Sequence, residues 1–181
     1  NLLSINVEGT SAGQRANLTI TGGQIFNGVR ISKTNASITS GSVFEKIELL
    51  SNSELAISGG LHEADITSQV GGTNINLNIS GGSLGTIEAN SGCAISVFGS
   101  PLIEQINLGQ NVVVNIPESL TVESPISVLP FSYAVGTKIA SFNSELTPEV
   151  DKFVLVDATS NNANLVVFEQ DVLIGTTSGM E

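Results

Sequence analysis

Short runs of alternating apolar and polar residues return along this chain at nearly constant spacing. An aliphatic residue precedes a polar or glycine-containing corner at Ile20, Ile38, Ile57, Ile79, Val97 and Ile116. These positions are separated by 18, 19, 22, 18 and 19 residues. A second aliphatic residue lies two positions earlier in every copy, at Leu18, Ala36, Leu55, Leu77, Ile95 and Val114. The chain therefore contains an internal structural repeat.

Each repeat holds two stretches of period-two alternation, such as "LTI" and "VRI". This pattern predicts half-buried strands, and no stretch of the repeats has the periodicity of an amphipathic helix. Further aliphatic columns follow the corner residue by five, nine and eleven positions; Leu102 falls in the first of them and Ser68 interrupts the last. We therefore predict an all-β, single-stranded parallel β-helix (a β-solenoid) with about six coils of 18–22 residues. The column spacing is not that of hexapeptide repeats, which favours a right-handed helix.

The most regular corners read "TGG" and "SGG", and their glycines permit a positive φ at a tight bend. They lack the lysine and the helix start of a phosphate-binding loop. Two polar stretches that interrupt the repeat, Glu8–Asn17 and Ser68–Asn74, predict protruding loops.

The repeat fades after residue 125, so we divide the chain into β-helix repeats at 1–125 and C-terminal capping strands with a tail at 126–181. Four strand-like stretches follow, and a cap is expected because the end of a solenoid exposes strand edges and open core. In "TPEVDKF", Thr147 is a candidate N-cap with Pro148 at the first helical position, which predicts a single helical turn.

The segments "LTITGGQIFNGVRIS" and "LNISGGSLGTIEA" resemble the repeats of bacterial secreted or cell-surface right-handed parallel β-helix proteins, many of them adhesin-like with "TISGGTF"-like repeats. The resemblance covers about residues 15–125. It implies a secreted or cell-surface location and a scaffold or binding role, and it carries no catalytic residue to this chain.

The net charge of −11 argues against nucleic acid as a partner, since an acidic surface repels phosphate backbones. No apolar run reaches the roughly 20 residues of a membrane-spanning helix, so we expect no membrane insertion. The single cysteine, Cys93, stands in an apolar run and is expected to be a small buried residue rather than a nucleophile.

Candidate chemistry is sparse. Glu45, Glu48 and Glu63 could approach one another across neighbouring coils, but solvated outward carboxylates are the favoured interpretation. His62 lies beside Glu63 and Asp65, and a metal site would require further ligands from other coils. We expect no catalytic residue, cofactor or metal.

Phe26 and Phe44 occupy equivalent positions in successive coils. They form either an exposed stacking pair suited to a sugar ring or a plug in a second interior corner, and we favour the plug. With Glu45, Glu48 and Glu63 they make the candidate ligand surface.

The sequence thus favours a non-catalytic extracellular module, an adhesin-like scaffold or spacer of a bacterial surface or secreted protein. Its partner would be a host or environmental glycan or protein, and it would be a monomer or a weak end-to-end homo-oligomer. The alternative is a carbohydrate-binding or polysaccharide-cleaving β-helix protein.

Overall fold

Two β-sheets share one aliphatic core in the computed structural model, which describes residues 4–60 and 64–176. Sheet B contains, in spatial order, β1 (Ile5–Glu8), β3 (Val29–Ser32), β5 (Lys46–Leu49), β7 (Ala64–Ser68), β9 (Ser83–Ala89), β11 (Leu102–Leu108), β13 (Ile126–Leu129) and β15 (Phe153–Leu155). Sheet A contains, in spatial order, β2 (Ala16–Ile25), β4 (Thr34–Val43), β6 (Glu54–Ser58), β8 (Ile75–Gly81), β10 (Cys93–Val97), β12 (Val114–Ile116), β14 (Lys138–Phe142), β17 (Asp171–Thr176) and β16 (Ala163–Phe168).

The chain alternates between the sheets, so each coil contributes one strand to each. The strands from β1 to β15 pair in parallel with their equivalents one coil away. The prediction of an all-β β-solenoid with about six coils is therefore confirmed; its right-handed sense stays a prediction.

The predicted corner residues form a continuous buried column. In sheet A, Ile20, Ile38, Ile57, Ile79 and Val97 pair successively in register and are all buried. In sheet B, Val29, Ile47, Ile66, Ile87 and Ile106 do the same. Burial of these aliphatic side chains between the sheets is the main stabilising contribution to such a fold.

The placement of Leu102 in an interior column was wrong. Its side chain is 46% exposed, and Ile103 pairs with Leu84 in the core instead. The corner between Val97 and Ile103 is one residue longer than the corresponding corner between Ile79 and Leu84, and a one-residue slip exchanges the two faces of a strand.

Ser68 interrupts the aliphatic column in sequence but remains inside the protein. It pairs with Leu49 and is buried. Its hydroxyl donates to the carbonyl oxygen of Glu88 at 3.2 Å and accepts from the amide of Asn90 at 2.8 Å. These bonds offset the cost of burying a hydroxyl in the core.

The glycine corners turn where the sequence predicts. The last glycine of each of these corners has a positive φ: 90° at Gly23, 98° at Gly41, 71° at Gly60 and 89° at Gly82. Close stacking adds a second requirement, because a Cβ on Gly60 would lie 2.6 Å from the carbonyl oxygen of Gly41. Both the backbone conformation and the space therefore call for glycine.

A second corner, where the chain returns from sheet B to sheet A, was not recognised in the sequence. Five residues before every corner aliphatic except Ile20 lies a residue with positive φ, and these residues are Lys33, Asn52, Asn74, Gly92 and Asn111. Asparagine tolerates this conformation better than most side chains do. In addition, the side-chain amide of Asn74 donates to that of Asn52 at 3.2 Å.

Both predicted loops are present. One connects β1 to β2, and the other follows Ser68, which itself ends β7. At the tip of the second loop Val70 is largely exposed.

Parallel pairing continues beyond residue 125, through β13 and β14 to β15. The hairpin of β16 and β17 then joins sheet A in antiparallel orientation. Its residues Ala163, Val172 and Ile174 are buried in the common core. The division of the chain at residue 125 stays a prediction.

The predicted helical turn exists as a 3₁₀ turn at Val150–Lys152. Its N-cap at Thr147 was wrong, because Glu149 holds that position and makes no side-chain capping bond. The turn begins later than predicted, so that Pro148 lies before the cap rather than at the first helical position.

The two requirements on the corner glycines can be separated by mutation. We expect Gly23→Ala, where no atom lies within 4 Å of the added Cβ, to cost roughly 1–2 kcal/mol for its positive φ alone. Gly60→Ala should cost measurably more, because its Cβ also meets the preceding coil. Urea unfolding of both variants measures the difference, and equal costs would contradict the close-stacking argument.

Candidate functional site

Four of the five predicted surface residues lie at one edge of the solenoid in two successive coils. Phe26 and Phe44 directly follow β2 and β4, Glu45 precedes β5, and Glu48 lies within β5. Glu63 lies outside the described residues.

Phe26 and Phe44 form an exposed stacked pair. Their ring centroids are 5.3 Å apart, their planes are inclined by 10°, and the residues are 40% and 48% exposed. The amide of Phe44 donates to the carbonyl oxygen of Ile25 at 3.0 Å, which holds the two coils at strand spacing here. The favoured interpretation as an interior plug was therefore wrong.

The stacking limits what this pair can offer a ligand. The distance and angle are those of an offset stack, in which each ring turns one face toward the other. Each residue nevertheless keeps two fifths or more of its surface exposed, 40% at Phe26 and 48% at Phe44. The main role of the pair is thus a contact between two successive coils, and the part that stays exposed offers only a small apolar surface.

Glu48 is engaged by two cations. Its carboxylate lies 2.6 Å from Lys46 Nζ and 3.3 Å from Arg30 Nε. The hydrogen bond from Lys46, with the charges of both cations, outweighs burial and lowers the pKa of Glu48. The same contact raises the pKa of Lys46. Ionised and paired, Glu48 is poorly suited to donating a proton at neutral pH.

The next outward carboxylates on sheet B also have partners. Asp65 accepts a hydrogen bond from the amide of Thr86 at 2.7 Å. Glu88 accepts one from the side chain of Asn107 at 2.6 Å. Glu45 is exposed and makes no salt bridge to any described residue. Glu48, Asp65 and Glu88 therefore form bonds between coils rather than converging on one point.

Within residues 4–60 and 64–176 there is no group of three or more histidine, cysteine, aspartate or glutamate side chains that could hold a metal ion. His62 and Glu63 fall outside these ranges. Over the same ranges, no helix has the length and apolarity needed to cross a membrane.

Cys93 is buried and pairs with Ile75 in the sheet A ladder. Burial raises the pKa of its thiol to about 11, so that the thiol is protonated at neutral pH. The expectation of a buried, unreactive cysteine agrees with this environment.

A cleft on the opposite edge was not found from the sequence. It has a volume of about 480 Å³ and is lined by residues 108–113 of one return corner and by residues 130–132, Thr137 and Lys138 of the next. We call it the corner cleft. Phe131 lines it with 66% of its surface exposed. The sequence places Phe131 in the C-terminal strands. Its exposure could not be predicted, because residue 131 lies in an irregular corner, where the alternation of strand residues does not apply.

Comparison of the chain with protein-family models, with curated proteins and with solved structures gave no match in any of the three searches. Function is therefore inferred from the chain's own surfaces.

The contribution of the aromatic pair to stability can be measured with a double-mutant cycle. We expect Phe26→Ala and Phe44→Ala to be coupled by about 0.5–1.5 kcal/mol in urea unfolding, because either substitution removes the same ring contact. The combination of Phe26→Ala with Phe131→Ala is the control and should be additive. Additivity in the first cycle would contradict a stabilising stack.

The ion pairs of Glu48 predict a pH-dependent stability difference. A carboxyl whose pKa is lowered by folding stabilises the native state above its unfolded pKa, near 4.5, and loses that contribution as the pH falls through the folded value. Glu48→Gln should therefore destabilise the protein by about 0.2–1 kcal/mol at neutral pH and by less in acid. Glu45→Gln, which removes an exposed carboxylate that makes no salt bridge to a described residue, is the matched control. A difference that persists at low pH would contradict the pairing.

Proposed function

We propose that the chain is a non-catalytic extracellular module of a bacterial surface or secreted protein, acting as an adhesin-like scaffold or spacer that displays binding surfaces at its corners. The observation that most supports the proposal is the unbroken parallel ladder from β1 to β15. Backbone hydrogen bonds along the solenoid axis give such a stack stiffness, and the corners can carry loops without disturbing it.

The polar side chains of sheet B fit a structural role. Glu48, Asp65 and Glu88 each bind a side chain or backbone group of a neighbouring coil or strand. Hydrolysis of a glycosidic bond in most cases uses two carboxyl groups that face the same substrate bond. The contacts of these three residues favour a scaffold over an enzyme.

Carbohydrate binding is a second candidate function, favoured by the exposure of Phe26 and Phe44. Apolar faces of sugar rings pack on aromatic side chains, and a pair at strand spacing could contact neighbouring units of a polymer. This candidate requires no catalytic group.

Turnover and cellular location together test the main proposal. The purified chain should leave neutral and acidic polysaccharides unchanged in length and in reducing ends. Antibodies against it should label intact producing cells or detect it in the culture medium, with an intracellular protein as the control for lysis. Depolymerisation of any polysaccharide, or retention inside the cells, would contradict the proposal.

A further inference from the structure

We propose that the corner cleft binds a sugar unit of a neutral polysaccharide, with Phe131 as the stacking platform. The inference rests on the second candidate function and assigns it to a different surface. The cleft lies at the return corners beside β12, whereas Phe26 and Phe44 lie at the glycine corners beside β2 and β4. Its volume of about 480 Å³ is within the range of roughly 300–1,000 Å³ found for small-ligand clefts.

Phe131 differs from the other aromatic candidates in its surroundings. Among the described residues, Phe26 and Phe44 are the aromatic pair in ring contact, and Phe131 has no stacked partner. It is also more exposed than either of them, at 66%, and it lines the corner cleft. An open ring beside a cleft is the arrangement in which an aromatic side chain can cover the apolar face of a ligand.

Unpaired polar groups border the same cleft. The side-chain amides of Gln110 and Asn111 are exposed and make no hydrogen bond to any described residue. Asn111 belongs to the return-corner column in which Asn52 and Asn74 bond to each other. In the coil between Asn74 and Asn111 the equivalent residue is Gly92, so the preceding coil offers Asn111 no asparagine side chain to bond to. Its amide remains free to donate to and accept from sugar hydroxyls.

The charge of the cleft favours a neutral ligand. Among the described residues that line the cleft, Lys138 is the one cation, and its Nζ lies 2.6 Å from the carboxylate of Asp171, which largely neutralises it. Burial opposes ionisation of Asp171, but hydrogen bonds from Lys138 and Ser141 outweigh it and lower the pKa of this carboxyl. With a net charge of −11, the chain repels uronic acids and the phosphates of nucleic acids. An uncharged sugar ring, which has an apolar face and carries hydroxyl groups, fits the remaining chemistry.

Titration followed by NMR tests the proposal on the full 181-residue chain. The probes are hexasaccharides of a neutral glucan, mannan and xylan, with a galacturonic acid hexamer and an unstructured peptide for comparison. We expect at least one neutral hexasaccharide to shift the ring signals of Phe131 and the side-chain amides of Gln110 and Asn111. Phe131→Ala should weaken this binding at least about tenfold while leaving the thermal unfolding temperature nearly unchanged.

Two variants complete the design. Asn111→Gly removes the amide but retains the positive φ, as Gly92 does one coil earlier, and should weaken binding without destabilising the corner. The double variant Phe26→Ala, Phe44→Ala should bind as the wild type does.

The outcomes separate this inference from the proposals on which it rests. If binding is lost in the Phe26, Phe44 double variant and kept in Phe131→Ala, the corner cleft is the wrong site and carbohydrate binding stands. If no neutral hexasaccharide shifts a signal, the cleft and the carbohydrate candidate both fail, whereas the scaffold proposal is judged by turnover and location. Tighter binding of the galacturonic acid hexamer or of the peptide would also overturn the inference.

Discussion

In-register parallel pairing of successive coils is the interaction on which the rest of the structure depends. Ile57 lies above Ile38 and below Ile79 because each strand bonds to its equivalent one coil away. A slip by one residue would turn every interior side chain of a strand toward solvent. The aliphatic columns and the corner positions are therefore not independent features, since the same register sets both.

The regular part of this register can be predicted from the sequence, because each coil places similar aliphatic residues at the same core positions. The spacing of Ile20, Ile38 and Ile57 predicted the sheet A ladder, and the paired glycines predicted the turns. The return corner was missed although it has the same spacing. Lysine, asparagine and glycine all occur in it, and these residues share a backbone conformation rather than a side-chain chemistry.

Where sequence interpretation failed, a local detail changed the outcome. One extra corner residue moved Leu102 out of the core, and two hydrogen bonds allowed Ser68 to remain inside it. Phe26 and Phe44 are exposed because their side chains lie on the outer side of a corner, and this cannot be predicted from their apolar character alone. The corner cleft arises from two loops in different coils, so that its residues are brought together only by the fold.

The loop after Ser68 lengthens one coil without shifting the strands on either side, which remain paired as Leu55 with Leu77 and Ile66 with Ile87. Residues inserted at a corner thus form a loop there and do not change the register of the neighbouring coils. Such an architecture separates the evolution of its edges from that of its core. Corner sequences can diverge, lengthen or acquire new contacts while the aliphatic columns stay under a constant selective constraint.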